Sequence, residues 1–206
     1  KKIAPVTNTD GILGALYDPL DGHLDPSGTT HAYAKAARMG GASIETHCKV
    51  EETNQRPDGT WDVVTDKGTI HAEHIVNAAG LWAREVGAMA GIYLPLHPME
   101  HQYIVTDDIA DIKAMPAEHP HVMDPAGESY LRQEGRGLCI GFYEQPCRPW
   151  AVDGTPWDFG HELLPNDYDK IEDSIAFAYK RFPVLETAGI KSVFHGPFNF
   201  APDGNP

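Results

Sequence analysis

Residues 77–80 (Asn-Ala-Ala-Gly) stand at a point where the sequence changes from a strand pattern to a helix pattern. The apolar pair Ile75-Val76 precedes them, and Trp82, Val86 and Met89 follow at helical spacing. Small residues at such a junction let an anion or a cofactor approach backbone N–H groups beside the positive end of a helix. Plain packing of a helix on a strand is the competing interpretation of the same residues.

Residues 97–101 (His-Pro-Met-Glu-His) match H-x-x-E-H, the pattern of inverted zinc peptidases, which needs a helix to bring its two histidines together. Pro98 and the β-branched residues that follow at 104–106 predict an extended chain instead. At about 3.3 Å per residue, His97 and His101 would lie roughly 13 Å apart in a strand, too far to share one metal ion. We therefore expect no metal site.

Composition bounds the class of protein. The 206 residues are 41% hydrophobic and can bury a core, while the net charge of −14 argues against nucleic acid or an anionic membrane as partner. No apolar run approaches the roughly 20 residues of a membrane span. The three cysteines show no C-x-x-C spacing, which favours a reducing compartment, cytoplasmic or, alternatively, the mitochondrial matrix. Because the chain lacks an initial Met and closes on a proline-rich turn, we expect a segment of a longer protein.

The first half of the chain predicts one helix and a series of short strands. A helix over 26–39 has Asp25 as N-cap and Pro26 at its first position, and an alanine-rich face suited to packing on a sheet. The strands are predicted at 42–47, 60–65 and 69–76, with turns at 57–59 and 66–68.

The second half changes character and predicts a mainly antiparallel sheet with one flanking helix at 167–182, which Pro183 ends. Residues 144–164 form an irregular loop in which the roles of Trp150 and Trp157 stay open. His119 and His121 fall in a polar stretch predicted to face solvent. The strands are predicted at 102–106, 129–133, 138–143 and 190–195.

Short motifs run in a fixed order through nearly the whole chain. They are Leu24-Asp25-Pro26, Gly41-Ala42, residues 75–87, His101-Gln102-Tyr103, Tyr130-Leu131-Arg132, Gly141-Phe142-Tyr143, residues 181–185, Gly196-Pro197 and Pro202-Asp203-Gly204. In this order they resemble the dimethylglycine and sarcosine dehydrogenase (or oxidase) branch of the amino-acid-oxidase-like FAD-dependent oxidoreductases. A set of ordered motifs is more specific than any single one.

The resemblance implies an FAD-binding part and a substrate-binding part woven together, with the flavin between them. It implies that the backbone around Val50 touches the adenine end of FAD. The remaining cofactor-binding residues by this resemblance are Ala78, Ala79, Gly80 and Trp82 along the middle of the cofactor, and Pro202, Asp203 and Gly204 near the flavin ring.

One departure from the family concerns the phosphate-binding loop. The family opens with a strand and a G-x-G-x-x-G loop that supplies much of the pyrophosphate binding, and no such motif occurs in this sequence. We therefore expect these residues by themselves to bind FAD poorly and to be inactive. A folate-binding domain further along the polypeptide is possible by the same resemblance.

For catalysis, the resemblance points to His101 and Tyr130. Hydride leaves an N-methyl carbon readily only when the nitrogen lone pair is free, so a neutral imidazole that accepts the ammonium proton suits the reaction. Tyr130 would orient the substrate or stabilise charge, as a protonated phenol. Arg132 shares the face of Tyr130 in a strand and could bind the substrate carboxylate, although a surface charge is the leading interpretation of this residue.

The sequence thus predicts an α/β (α+β) protein with an incomplete, Rossmann-like FAD-binding part at 1–91, a mainly antiparallel substrate-binding part at 92–198 and a return to the first part at 199–206. The expected function is oxidative demethylation of dimethylglycine, sarcosine or a related N-methyl amino acid. The residues do not distinguish oxygen from an electron-transfer protein as acceptor. The alternative is a non-catalytic regulatory or binding subunit with the same fold.

Overall fold

The computed structural model describes residues 2–204, which form two compact units, each assembled from separate stretches of chain. The large unit contains the residues up to Gly22 together with Pro98–Val152 and Asp158–Phe198. The small unit contains His23–His97, Asp153–Trp157 and the described residues from Asn199 onward. The mixture of helices and antiparallel strands agrees with the predicted fold class.

The small unit begins with helix α1 (Pro26–Met39), which has the predicted bounds. The Asp25 side chain accepts a hydrogen bond from the Gly28 backbone N–H. Pro26 suits the first position of the helix, because it has no backbone N–H that would need a hydrogen-bond partner there. The chain leaves the helix through Gly41, whose φ of +90° suits glycine. No residue of α1 is buried, so the expected packing of its alanine face on a sheet is not found within the described residues.

Three strands follow, β1 (Val50–Gln55), β2 (Trp61–Thr65) and β3 (Gly68–Ala72), paired antiparallel in the order β1-β2-β3. The two predicted turns are confirmed. In the first, the Asp58 carboxylate accepts hydrogen bonds from the backbone N–H and the hydroxyl of Thr60, at 3.0 and 2.6 Å.

The predictions of a strand at 42–47 and of a strand reaching residue 76 were wrong, because both stretches are irregular. On the side away from β3, β2 pairs with β1. Strand β1 was not predicted, because its Glu and Asn residues interrupt the alternation of apolar residues that indicates a strand. The unit is completed by a 3₁₀ helix (Gly80–Trp82) and helix α2 (Ala83–Met89), where a single helix was expected.

The large unit is built on a sheet of six strands. The strands are β4 (His97–Thr106), β5 (Val122–Asp124), β6 (Ser129–Glu134), β7 (Gly137–Phe142), β8 (Arg148–Pro149) and β9 (Ile190–Phe200). Their order in the sheet is β5-β6-β7-β4-β8, with β9 also paired to β4. A short helix, α3 (Ala110–Lys113), follows β4, and α4 (Tyr168–Arg181) precedes β9.

One face of this sheet carries the core of the unit. Along β4, buried and half-buried residues alternate without exception, as expected for a strand with one covered face. Each fully buried Leu, Ile or Phe contributes about 1.5–3 kcal/mol relative to exposure. The buried core comprises Ile104, Ile109, Ile112, Leu131, Leu138, Ile140, Phe142, Ile171, Ala178, Phe182 and Leu185.

The start of α4 is fixed to the sheet by a buried glutamine. Asp167 is the N-cap of the helix and accepts from the Lys170 backbone N–H at 3.2 Å. Gln102, 2% exposed on β4, donates to the Asp167 carbonyl at 2.7 Å and accepts from the Asp167 N–H at 2.9 Å. The predicted helix at 167–182 is confirmed, and its first turn is held at a defined position over β4.

The prediction that His119 faces solvent was wrong, because only 1% of this residue is exposed. Its backbone N–H donates to the Gln133 side chain on β6 at 2.8 Å, and its Nδ1 lies 2.8 Å from the Pro120 carbonyl. These bonds hold the residue against the sheet. Burial lowers the pKa of His119, since the charged imidazolium is the form that desolvation penalises.

The lowered pKa of His119 predicts a loss of stability in acid. In the unfolded chain His119 gains a proton near pH 6.5, whereas the folded protein resists protonation until a lower pH, so the free energy of unfolding should fall as pH drops below about 6.5. In His119→Gln this fall should be smaller, as measured by urea unfolding at several pH values. The exposed His74→Gln serves as control, and equal pH dependence in both variants would contradict the assignment.

Candidate functional site

The register of β4, β7 and β6 brings the predicted active-site residues onto one face of the large sheet. Tyr103 on β4 pairs with Gly141 on β7, and Gly141 pairs with Tyr130 on β6. Directly paired residues of antiparallel strands share a face, and each strand alternates faces with period two. His101, two residues before Tyr103, therefore lies on the same face as Tyr130.

Five aromatic side chains lie on this face of the sheet, which we call the aromatic face: His101, Tyr103, Tyr130, Tyr143 and Phe194. The rings of His101 and Tyr143 meet edge to face at 5.4 Å, and those of Tyr143 and Tyr130 are tilted at 5.9 Å. Tyr103 stacks on Phe194 of β9 with ring centroids 4.7 Å apart. Tyr143 thus joins the two predicted catalytic residues. Sequence reasoning gave Tyr143 no role, although its spacing of two from Gly141 was a usable signal.

Gly141 makes room for the Tyr130 ring. A Cβ atom at this position would lie 2.1 Å from Cε1 of Tyr130, closer than any real contact. The ring therefore lies directly over the glycine backbone, and burial, together with the neighbouring Cys139 and Tyr143, raises the pKa of Tyr130 to about 12. The phenol consequently stays protonated, as a hydrogen-bond donor, throughout the physiological range.

His101 is held by an ionisable neighbour that sequence reasoning missed. Its Nδ1 lies 3.3 Å from Oε2 of Glu144, a residue just beyond the end of β7 that is only 5% exposed. The other carboxylate oxygen, Oε1, lies 3.7 Å from Nζ of Lys170 in the first turn of α4. Nothing in the local sequence pairs Glu144 with His101, because 43 residues separate them.

Arg132 lies on the face of Tyr130, as its spacing of two predicts. Its guanidinium is already engaged: it forms a short ion pair with Glu134 and donates to the Gln133 carbonyl at 3.3 Å. A substrate carboxylate would have to displace Glu134 to bind there. The side chain is 28% exposed and so within reach of a ligand.

The expected cofactor-binding residues around Gly80 occupy a turn in the small unit that a side chain holds in shape. Asn77 Oδ1 accepts from the Ala79 N–H at 3.2 Å, and Asn77 Nδ2 donates to the Ala83 carbonyl at 2.8 Å. Gly80 has a φ of +55°, and no atom lies within 4 Å of where its Cβ would be. The backbone at Gly80 is therefore open to close approach, although the strand expected before it does not form.

The C-terminal return reaches this same turn. Asn199 Nδ2 donates to the Gly80 carbonyl at 3.0 Å, so the exposed turn of Pro202, Asp203 and Gly204 begins three residues from an anchor on Gly80. Oδ1 of Asn199 is buried and makes no hydrogen bond within the described part of the chain. An unsatisfied buried acceptor beside an open glycine backbone fits residues that hold a cofactor.

A short segment from the irregular loop supports the turn from the other side. The Trp82 indole N–H donates to the Pro156 carbonyl at 2.9 Å, and Thr155 donates to the Leu81 carbonyl and the Glu85 carboxylate, each at 2.8 Å. Burial would raise the pKa of Glu85, but this Thr155 N–H and the neighbouring arginine lower it. The loop thus fixes residues 81–85, which its irregular sequence did not reveal.

Trp157 of the irregular loop and Val50, the first expected cofactor position, also belong to the small unit. Lys49 Nζ lies over the Trp157 ring, 5.5 Å from the ring centroid. This cation–π contact gives one of the two loop tryptophans a structural role. Val50, next to Lys49, is the half-buried first residue of β1.

Among residues 2–204 no group of three or more His, Cys, Asp or Glu side chains is arranged to hold a metal ion.

The close fit of Tyr130 over Gly141 predicts an unequal effect of adding one methyl group at two sheet glycines. Gly141→Ala should lower the free energy of unfolding by about 1–3 kcal/mol, because the new Cβ overlaps the Tyr130 ring. Gly196→Ala on β9 is the control, since no atom lies within 4 Å of its added Cβ. Urea denaturation measures both, and equal losses would contradict the described packing.

The chain is similar to several curated proteins along nearly its whole length. It is 44% identical to the mitochondrial dimethylglycine dehydrogenase of Mus musculus over 98% of this chain and 24% of that protein. It is 38% identical to the mitochondrial sarcosine dehydrogenase of Mus musculus over 100% of this chain and 22% of that protein. With the mitochondrial pyruvate dehydrogenase phosphatase regulatory subunit of Mus musculus it shares 30% identity over 98% of this chain. The chain spans about a quarter of the length of these relatives.

A solved structure is also similar to the whole chain. L-proline dehydrogenase from P. horikoshii superimposes with a TM-score of 0.79 and 27% identity, over 100% of this chain and 52% of that one. Residues 1–206 match the family described as DAO, FAD dependent oxidoreductase. The resemblance inferred from the ordered motifs is therefore confirmed, and the chain belongs to the FAD-dependent oxidoreductase family.

Proposed function

We propose that this chain contributes the substrate-binding residues, and part of the FAD-binding residues, of an enzyme that oxidatively demethylates N-methylated glycines. The observation that carries the proposal is the placement of His101 and Tyr130 on one sheet face, joined through Tyr143. The similarity to dimethylglycine and sarcosine dehydrogenases supports this substrate class. Dimethylglycine and sarcosine are the candidate substrates.

His101 is the proposed base. An N-methyl amino acid carries an ammonium at neutral pH, and its nitrogen lone pair must be freed before the methyl carbon can lose hydride. A neutral imidazole can take this proton. When bound, FAD supplies the acceptor for the hydride, and the resulting iminium hydrolyses to formaldehyde or transfers its carbon to a folate.

Tyr130 and the other rings of the aromatic face are proposed to orient the substrate. The Tyr130 phenol, protonated because its pKa lies at about 12, donates a hydrogen bond and carries no charge. The stacked pair Tyr103 and Phe194 offers an apolar surface suited to N-methyl groups. Arg132 is proposed to bind the substrate carboxylate, which takes the place of the Glu134 carboxylate as its ion-pair partner.

The small unit is proposed to hold part of the FAD. The open backbone at Gly80 and the unsatisfied Asn199 Oδ1 support this role. The residues proposed to contact the cofactor are Val50, Ala78, Ala79, Gly80, Trp82, Pro202, Asp203 and Gly204. In terms of sequence the FAD-binding part is proposed at 1–91 and 199–206, with the substrate-binding part at 92–198. The boundaries of the two units at 97/98 and 198/199 support this division, whereas the described residues before His23 group with the large unit and residues 153–157 with the small unit.

The proposed location is the mitochondrial matrix. The names of the dimethylglycine and sarcosine dehydrogenases include this organelle, which favours the matrix over the cytoplasm that cysteine usage first suggested. None of the helices in the described chain is both long and apolar enough for a transmembrane segment. A folate-binding domain elsewhere in the polypeptide stays a prediction.

Anaerobic flavin bleaching tests the activity. In the FAD-loaded holoenzyme, dimethylglycine or sarcosine should bleach the flavin, and His101→Asn should slow the limiting rate by about 100-fold or more, because general-base catalysis is lost. The exposed His71→Asn is the control and should keep the wild-type rate.

Two results would contradict this proposal. An unchanged rate in His101→Asn would remove His101 from the mechanism. A wild-type protein that binds FAD yet is not bleached by any N-methylated glycine would instead favour the alternative, a non-catalytic subunit. The similarity to the pyruvate dehydrogenase phosphatase regulatory subunit is the observation that supports this alternative.

The role of Arg132 is tested by two variants with opposite expected effects. Arg132→Met should weaken dimethylglycine binding by roughly 10-fold or more, since a charge-assisted bond to the carboxylate is lost. Glu134→Gln should strengthen binding, because it weakens the competing ion pair. Dissociation constants from flavin spectral titrations measure both. If neither variant changes the dissociation constant, Arg132 is a surface charge and not a substrate ligand.

A further inference from the structure

Glu144 is a buried carboxylate with two partners on opposite oxygens. Oε2 lies 3.3 Å from Nδ1 of His101, and Oε1 lies 3.7 Å from Nζ of Lys170. The side chains of Glu144, His101 and Lys170 are 6%, 13% and 12% exposed. A buried charge is costly unless compensated, so a carboxylate kept at this depth needs the ammonium on one side and a hydrogen-bond donor on the other.

Three separate elements bring these side chains together. Tyr103 on β4 pairs with Gly141 on β7 in antiparallel register. His101 lies two residues before Tyr103 and Tyr143 lies two residues after Gly141, so these two side chains stand opposite each other and their rings are in contact. Glu144 is the next residue of the chain. Lys170 comes from the first turn of α4, whose position the buried glutamine on β4 fixes. The sheet register and the helix start therefore define the geometry of the Glu144 contacts.

We propose that Glu144 is a positioning residue that accepts the Nδ1–H of His101 and so leaves the lone pair of Nε2 to take the substrate ammonium proton. This inference rests on the proposed function. The third member, Lys170, balances the charge of Glu144 while the imidazole is neutral. In a hydrogen bond of this kind the acceptor selects the tautomer and the ring orientation.

The proton balance of the step shows why a carboxylate is suited to this position. The N–H bond of the substrate ammonium breaks, an Nε2–H bond forms, and the Nδ1–H stays on its nitrogen. Before the step, the Lys170, Glu144 and His101 side chains sum to zero charge, and after it they sum to +1. Without Glu144 the sum would reach +2 among buried groups, so the carboxylate limits the positive charge that this set of side chains accumulates during the step.

The competing interpretation is purely structural. In this view, Glu144 and Lys170 form an ion pair that ties the end of β7 to α4, and His101 is only a neighbour. Both interpretations predict lower stability when Glu144 is removed. Only the positioning role predicts a change in the protonation pattern of His101 and in the rate of substrate oxidation.

The first experiment reads the tautomer of His101 directly. In the full chain labelled with ¹⁵N-histidine, the signals of His101 are identified by their loss in His101→Asn. We expect the Nδ1–H tautomer in wild type, and a shift toward Nε2–H in the double variant Glu144→Leu/Lys170→Met, which replaces the ion pair by apolar residues of similar size. Asp108→Asn, in an exposed ion pair with Arg136, is the control and should leave the pattern unchanged. An Nε2–H tautomer in wild type overturns the proposal whether or not the variant folds.

The second experiment uses anaerobic flavin bleaching in the FAD-loaded holoenzyme. Glu144→Gln should lower the limiting rate on the order of 10-fold or more while the dissociation constant of dimethylglycine changes little, and Glu144→Asp should recover part of the rate. Equal rates in Glu144→Gln and wild type overturn the positioning role. Absence of bleaching in wild type overturns the proposed function and with it the catalytic meaning of Glu144, while the tautomer measurement still decides whether Glu144 sets the protonation of His101.

Discussion

The antiparallel register of three neighbouring strands is the constraint on which the candidate active site depends. Because Tyr103, Gly141 and Tyr130 are directly paired across β4, β7 and β6, they share one face of the sheet, and the period of two adds His101 to it. A slip of one residue in any of these strands would move its side chains to the opposite face. The absence of a side chain at Gly141 then lets the Tyr130 ring lie flat across the middle strand.

The buried face of the same sheet keeps this register in place and also positions residues that are proposed to act in catalysis. Its apolar side chains pack with α4, while Gln102 satisfies both backbone polar groups of Asp167 at the start of that helix. Fixing the helix start places Lys170 next to Glu144, while the sheet register places Glu144 next to His101. Packing on one face of the sheet thereby determines the surroundings of the histidine on the other.

In the small unit, hydrogen bonds from side chains position the backbone of the proposed cofactor-binding turn. The turn before α2 is too short and too rich in small residues to be held by packing alone, so hydrogen bonds from Asn77, Asn199 and the segment around Thr155 hold it. These bonds leave the Gly80 backbone open. A cofactor that contacts backbone atoms requires such a turn to be rigid before binding, because ordering it afterwards would weaken affinity.

Local signals in the sequence determined the elements whose ends are set by neighbouring residues. The cap Asp25 predicted the start of α1, Pro183 predicted the end of α4, and turn residues such as Asp58 predicted the hairpins, because each of these residues acts on backbone close to itself in the sequence. The ordered motifs also predicted the family. Contacts between distant residues were beyond the sequence: it did not reveal β1, whose strand character depends on pairing with β2. Nor could it reveal that Glu144 meets His101, because only the folded sheet brings together two side chains that are 43 residues apart.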